Sequence, residues 1–114
     1  MDTSRQIKVT QIVKRSLGLS IPVNNNRTLM KVFIPLSVLN NASHQQALSS
    51  ATRKYLMNKL GISINSFTGY LYKENMSTDV QTFYVVQLSF VGILDEKSVN
   101  DLIAELDKVR SNLS

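Results

Sequence analysis

LMKVFIPLSVLNNASHQQALSSATRKYLMNKLG, residues 29–61, changes periodicity halfway along. In its first part Met30, Val32, Ile34, Leu36 and Val38 are all apolar, the period-two pattern of a strand with one buried face. Past Asn40 and Asn41 the spacing lengthens, and Leu48, Ala51, Tyr55, Leu56 and Leu60 make the inward stripe of a helix. Ser43 with Gln46 has the spacing of a capping box at its start, and Gly61 followed by Ile62 fits a Schellman stop. Pro35 donates no ladder hydrogen bond, so the strand over 28–39 is expected to lie at an edge, to bulge, or to lose regular pairing near Ile34.

Downstream, Ser66–Lys73 and Val80–Ile93 read as strands, and the polar ENMSTD between them is too short for a crossover, which predicts an antiparallel hairpin. The second strand is apolar on both faces, with Val80, Tyr84, Val86, Leu88 and Phe90 on one and Phe83, Val85 and Val91 on the other, as a central strand would be. Asp95 is placed to cap a last helix, with Leu94 and Val99 at the spacing of a hydrophobic staple. Val99, Leu102, Leu106, Val109 and Leu113 then give that helix one continuous apolar stripe. Upstream, Thr3–Leu19 carries both patterns. A helix has Thr3 and Gln6 as capping box and Gly18 as stop, whereas Ile7, Val9 and Val13 alternate as in a strand, favoured over Gln6–Val13 by its β-branched residues. SIPVNNNRT then reads as a break. The order is (β)-β-α-β-β-α: an α+β domain, mostly antiparallel, with two helices packed on one sheet face. Its nearest named architecture is a ferredoxin-like split βαβ lacking the last strand. Residues 1–114 make one domain, with 1–27 as a basic N-terminal segment.

The chain contains no cysteine, which removes disulfides, thiolate chemistry and classical zinc sites. Asp2 and the interrupted apolar pattern behind it do not make a secretory signal, and no apolar run reaches the length of a membrane span. A cytoplasmic protein without a membrane partner is expected. Net charge is +5 and unevenly spread. Residues 1–73 hold ten Lys and Arg against Asp2 alone, while residues 74–114 hold three cations against seven carboxylates. The basic section attracts polyanions unless the acidic C-terminal helix packs beside it and cancels its field.

Nothing in the sequence assembles a catalytic constellation. The four glycines are scattered, no serine lies in a G-x-S-x-G context, and the lone His44 falls in the first turn of a helix, where it is expected at the surface. A non-enzymatic protein follows, with no cofactor, metal or small-molecule substrate called for. The helix over 43–60, by contrast, has an outer face of Gln45, Gln46, Ser49, Ser50, Arg53, Lys54, Asn58 and Lys59 without one carboxylate. With Lys14, Arg15 and Arg27 it suggests a nucleic-acid surface built of Lys14, Arg15, Arg27, Gln46, Ser50, Arg53, Lys54 and Lys59, though no helix-turn-helix, RNP or zinc-finger pattern accompanies it. Tyr70 and Tyr72, beside Lys73, would stack on bases if their sheet face were open, but Ile62 and Ile64 share that face in an extended register and direct it to the core. The competing expectation is a homodimer or protein-interaction module. It would use Phe67, Leu71, Phe83 and Val85 as an exposed apolar sheet face, or the strand edge near Pro35.

Overall fold

The computed structural model describes residues 6–16, 25–39, 41–75 and 79–113, with the side chains of Arg15, Ser16 and Asn25 excepted. Its elements are β1 (Lys8–Ser16), β2 (Asn25–Pro35), a 3-10 turn (Leu36–Val38), α1 (Ala42–Lys54) continued by a π-helical turn (Tyr55–Lys59), β3 (Ile64–Asn75), β4 (Val80–Val91) and α2 (Glu96–Ser111). The features read at Thr3, Gly18, Pro22, Asn40 and 76–78 lie outside the described residues.

All pairings are antiparallel and the sheet order is β1-β2-β4-β3. Two antiparallel steps make β2 and β3 parallel with β4 between them, so β2-α1-β3 is a split βαβ unit. The position beside β2 that a ferredoxin-like sheet gives to its C-terminal strand is taken here by the N-terminal one. The 8–16 segment is therefore strand and not helix, and its β-branched residues pair with β2 from Lys8↔Phe33 to Ser16↔Asn25. Proline fixes where β2 stops: pairing with β4 ends at Pro35↔Phe83, and the chain turns through Leu36–Val38 toward α1. β2 itself is central, paired on both sides, so the strand edge near Pro35 expected to be free for a partner is occupied by β4.

Both helices cover one face. Met30, Val32 and Ile34 of β2 and Tyr84, Val86, Leu88 and Phe90 of β4 meet Leu48 and Leu56 of the first helical segment and Leu102 and Leu106 of α2 in one buried cluster. Each such side chain removed from water contributes about 1.5–3 kcal/mol. Gln11, on the same face of β1, clamps the chain just ahead of α2: its Nε2 donates to the Leu94 carbonyl at 3.1 Å and its Oε1 accepts from the Leu94 amide at 3.3 Å. The N-terminal strand and the C-terminal helix are thereby joined across the chain.

Three local expectations change. The cap of α1 is Asn41, whose Oδ1 accepts from the His44 amide at 3.2 Å, and Ser43 instead donates its hydroxyl to Asn41. Starting the helix at Ala42 carries the inward stripe one turn further back, through 44, 48, 52 and 56, so His44 is only 6% exposed rather than at the surface. Ser49 and Thr52 are buried with it, Thr52 donating to the Leu48 carbonyl at 2.8 Å, and Ser49 leaves the outer face. The helix exit matches its sequence: Gly61 has φ +65° and the Ile62 amide reaches back to the Leu56 carbonyl at 2.9 Å.

The most consequential change is in β3. Ile64 pairs with Phe90 but Ser66 pairs with Ser89, so Asn65 is an extra residue, a bulge of the kind common on edge strands. Ile64 therefore faces the core, and every even-numbered residue after the bulge is rotated to the opposite face. Tyr70 and Tyr72 do not share a face with Ile64. They stand on the side of the sheet that neither α1 nor α2 covers.

Candidate nucleic-acid interface

Strand alternation and register determine which residues occupy the uncovered face. Opposite partners in an antiparallel ladder project to the same side, so β1 supplies Lys8, Thr10, Ile12 and Lys14, and β2 supplies Arg27, Leu29, Lys31 and Phe33. β4 adds Phe83, Val85, Gln87 and Ser89, and β3 adds Ser66, Thr68, Tyr70, Tyr72 and Glu74. Among the described residues of the four strands, four cations thus stand on this face against one carboxylate, Glu74. None of the four pairs with an acid among the described residues, where the ion pairs present, Lys97–Asp101 and Asp107–Arg110, both lie within α2.

The aromatic residues form a layer of their own. Phe33 and Tyr70 flank Val85 in register, and Pro35 and Tyr72 flank Phe83. The Phe33 ring meets Phe83 edge-on at 5.7 Å and Tyr72 edge-on at 6.1 Å, while Tyr72 lies nearly parallel to Phe83 at 27° and 6.5 Å. The Lys8 ammonium sits 5.9 Å above the Phe83 ring. Flanked this way, Phe83 and Val85 are 1% and 0% exposed although no helix lies over them. Tyr72 is 42% exposed, and Tyr70 donates its hydroxyl to Gln87 at 3.1 Å.

Two clefts mark the ends of the face. One, about 230 Å³, is lined by Lys8, Thr10, Phe33, Tyr72, Glu74 and Phe83. The other, about 260 Å³, is lined by Ile12, Lys14, Arg27, Thr28, Leu29 and Ser89. Lys14 and Arg27 are direct cross-strand partners, and two like charges so placed destabilise a sheet by roughly 0.2–1 kcal/mol. The wall of this cleft is mainly apolar, with Ile12 and Leu29 beside the two cations, whose like charges an anion would relieve.

The residues expected to form the nucleic-acid surface divide between two sides of the molecule. Lys14 and Arg27 are on the open sheet face; Arg15 is paired with Asn26 in β1, its side chain outside the described residues. Gln46, Ser50, Arg53, Lys54 and Lys59 are exposed on the first helical segment, in the layer behind the sheet. Arg53 there lies over the Phe67 ring at 5.6 Å, and Lys54 and Lys59 share a cleft of about 410 Å³ with Glu105 of α2. α1 contains no carboxylate, but its neighbour supplies one. The apolar set divides as well. Phe67 and Leu71 project to the helix side, opposite Leu88 and Tyr84, whereas Phe83 and Val85 project to the open side and are already covered. The four do not make one exposed patch. Sequence reading missed Lys8, Lys31 and Phe33, whose common face with Lys14 and Arg27 depends on the β1–β2 register.

Among the described residues no group of His, Asp and Glu is placed to hold a metal, and no helix is long and apolar enough to cross a membrane. Comparison with known protein families, with curated proteins and with solved structures finds no match for this chain.

Proposed function

We propose that this chain is a non-enzymatic nucleic-acid-binding protein and that its principal contact surface is the open face of the sheet rather than the outer face of α1. The observation that carries this reading is the set Lys8, Lys14, Arg27 and Lys31, four cations on one face with no ion-pair partner among the described residues and two of them directly opposed. Cations kept apart from carboxylates contribute little to the fold, but each can neutralise a phosphate and release a counterion. Arg53, Lys54 and Lys59 form a second basic area of three cations, two of which share a cleft with Glu105.

The test is binding to DNA and RNA across a salt series. Engagement of all four cations gives a slope of log K against log salt of about −3 to −4. Lys8→Glu with Lys31→Glu is expected to remove most of the affinity, and Arg53→Glu with Lys54→Glu only a minor part. The reverse order would return the site to the helix, and affinity indifferent to salt would overturn the reading. A second reading, a protein-assembly module, is favoured by one observation: β3 is a 12-residue edge strand with Leu71 60% exposed. Light scattering that finds a monomer at every concentration removes its homodimeric form.

A further inference from the structure

We infer that the nucleic acid taken by this face is a single strand, with one base stacked on Tyr72 at one end of the sheet and a phosphate held between Lys14 and Arg27 at the other. The inference rests on the nucleic-acid reading above and narrows it. The two clefts differ in chemistry. At the Tyr72 end a cation, a carboxylate and aromatic rings converge, which suits the flat, donor-and-acceptor character of a base. At the Lys14 end two cations stand beside an apolar wall of Ile12 and Leu29 with no carboxylate among the described residues, which suits a phosphate.

The rings are useful only to an unpaired base. Tyr72 is held from two sides, nearly parallel to Phe83 and edge-on to Phe33, and keeps an exposed surface. A base laid on it extends a column that already exists, so little side-chain freedom remains to be lost. Bases inside a duplex are already stacked on their neighbours and would leave these rings without a partner, offering the face only phosphates. The register sets the reach: Tyr72 pairs with Phe83 and Phe83 with Pro35, which lies eight residues along β2 from Arg27, roughly 27 Å at strand spacing, with Lys31 on the path between. A footprint of about four to five nucleotides follows, at the short end of the range for single-strand grooves.

The full chain is titrated by fluorescence anisotropy with labelled oligothymidylate and oligouridylate of about ten nucleotides, with a blunt duplex of equal phosphate count, and with inorganic polyphosphate as competitor. Single strands are expected to bind at least about tenfold more tightly than the duplex. Tyr72→Ala is expected to cost the oligonucleotides roughly ten- to a hundredfold and to leave polyphosphate within about twofold, with Tyr72→Phe behaving as the unaltered chain. A preference for one sugar identifies DNA or RNA and supports the single-strand form. Equal binding of duplex, or equal losses for oligonucleotide and polyphosphate in Tyr72→Ala, overturns the inference while a salt-dependent affinity preserves the nucleic-acid reading. Absence of binding to every probe at low salt overturns both.

Discussion

Arg27 offers a test in which stability and binding move in opposite directions. It stands directly across from Lys14 at the exposed end of β1 and β2, in a cleft with no carboxylate among the described residues. If the pairing is as described, Arg27→Gln removes a like-charge repulsion of roughly 0.2–1 kcal/mol, and Arg27→Glu adds an attraction of similar size. The expected order of stability is therefore Glu above Gln above Arg, spanning about 0.4–2 kcal/mol, or about 2–8 °C in Tm for a domain of this size. Both replacements shorten the side chain by a similar amount, so the difference between them isolates charge from packing. Thermal melting followed by circular dichroism at low salt reads the order directly. Repeating it near 1 M salt, where the Debye length falls to about 3 Å, is expected to remove it. Nucleic-acid affinity is expected to fall along the same series, with the salt slope reduced by about one in Arg27→Gln. If Arg27→Glu at low salt is no more stable than the unaltered chain, Lys14 and Arg27 do not face one another, and both the β1–β2 register and the proposed phosphate position fail with it.

Other consequences follow from single contacts. Leu56→Ala, at a fully buried position between the helices and the sheet, should cost about 2–5 kcal/mol in urea unfolding. Gln11→Ala removes both hydrogen bonds to Leu94 and should cost about 1–3 kcal/mol, with exchange of the β1 amides accelerated beyond those of β4. A Cβ at Gly69 would meet the Tyr84 hydroxyl at 2.0 Å, so Gly69→Ala should destabilise and Tyr84→Phe should recover part of the loss in a double-mutant cycle. The Ser98 hydroxyl, followed by its amide, holds the Asp95 carboxyl below its ordinary pKa of 3.8. A depressed carboxyl stabilises the fold above its unfolded pKa and loses that contribution as the pH falls through the folded one. Asp95→Asn keeps a capping oxygen without the charge, so the stability lead of the unaltered chain over it should be constant at neutral pH and shrink as the pH drops below about 4.

Much of the layout was legible because it is written in short-range pattern. The apolar alternation through Met30, Val32 and Ile34, the stripe through Leu48 and Leu56, the Asp95 cap and the doubly apolar 80–91 strand each identify an element and its buried side without knowledge of the others. What escaped was short in sequence but non-local in cause. Asn65 is unremarkable in composition, yet as an inserted residue it reverses the side on which Tyr70 and Tyr72 stand. A bulge leaves almost no trace in periodicity when the strand is an exposed edge with few buried positions to betray the phase change. His44 escaped for a related reason: a polar residue on the inward stripe is read as the end of the stripe, when the helix runs one turn further.

The charge layout shows why a linear tally located the basic surface only in part. Summed along the chain, cations of β1, β2 and α1 form one section opposed by the carboxylates of α2. Folding separates these contributions by layer. α1 and α2 lie side by side, so Lys54 and Lys59 share a cleft with Glu105 and their field is partly offset. β1 and β2 turn Lys8, Lys14, Arg27 and Lys31 away from both helices, where Glu74 is the one carboxylate on their face among the described strand residues. The helix without carboxylates thus has an α2 carboxylate beside two of its cations, while the strand cations, which alternate with core residues and never form a run, gather on the other side of the sheet. Because a field over a low-dielectric sheet acts on a polyanion before contact, reversing two strand cations should slow association as well as weaken the complex, whereas reversing Arg53 and Lys54 should leave the association rate nearly unchanged. Stopped-flow measurement of that rate at two salt concentrations separates the layers, and equal slowing by both pairs would mean that the folded protein presents one continuous basic surface after all.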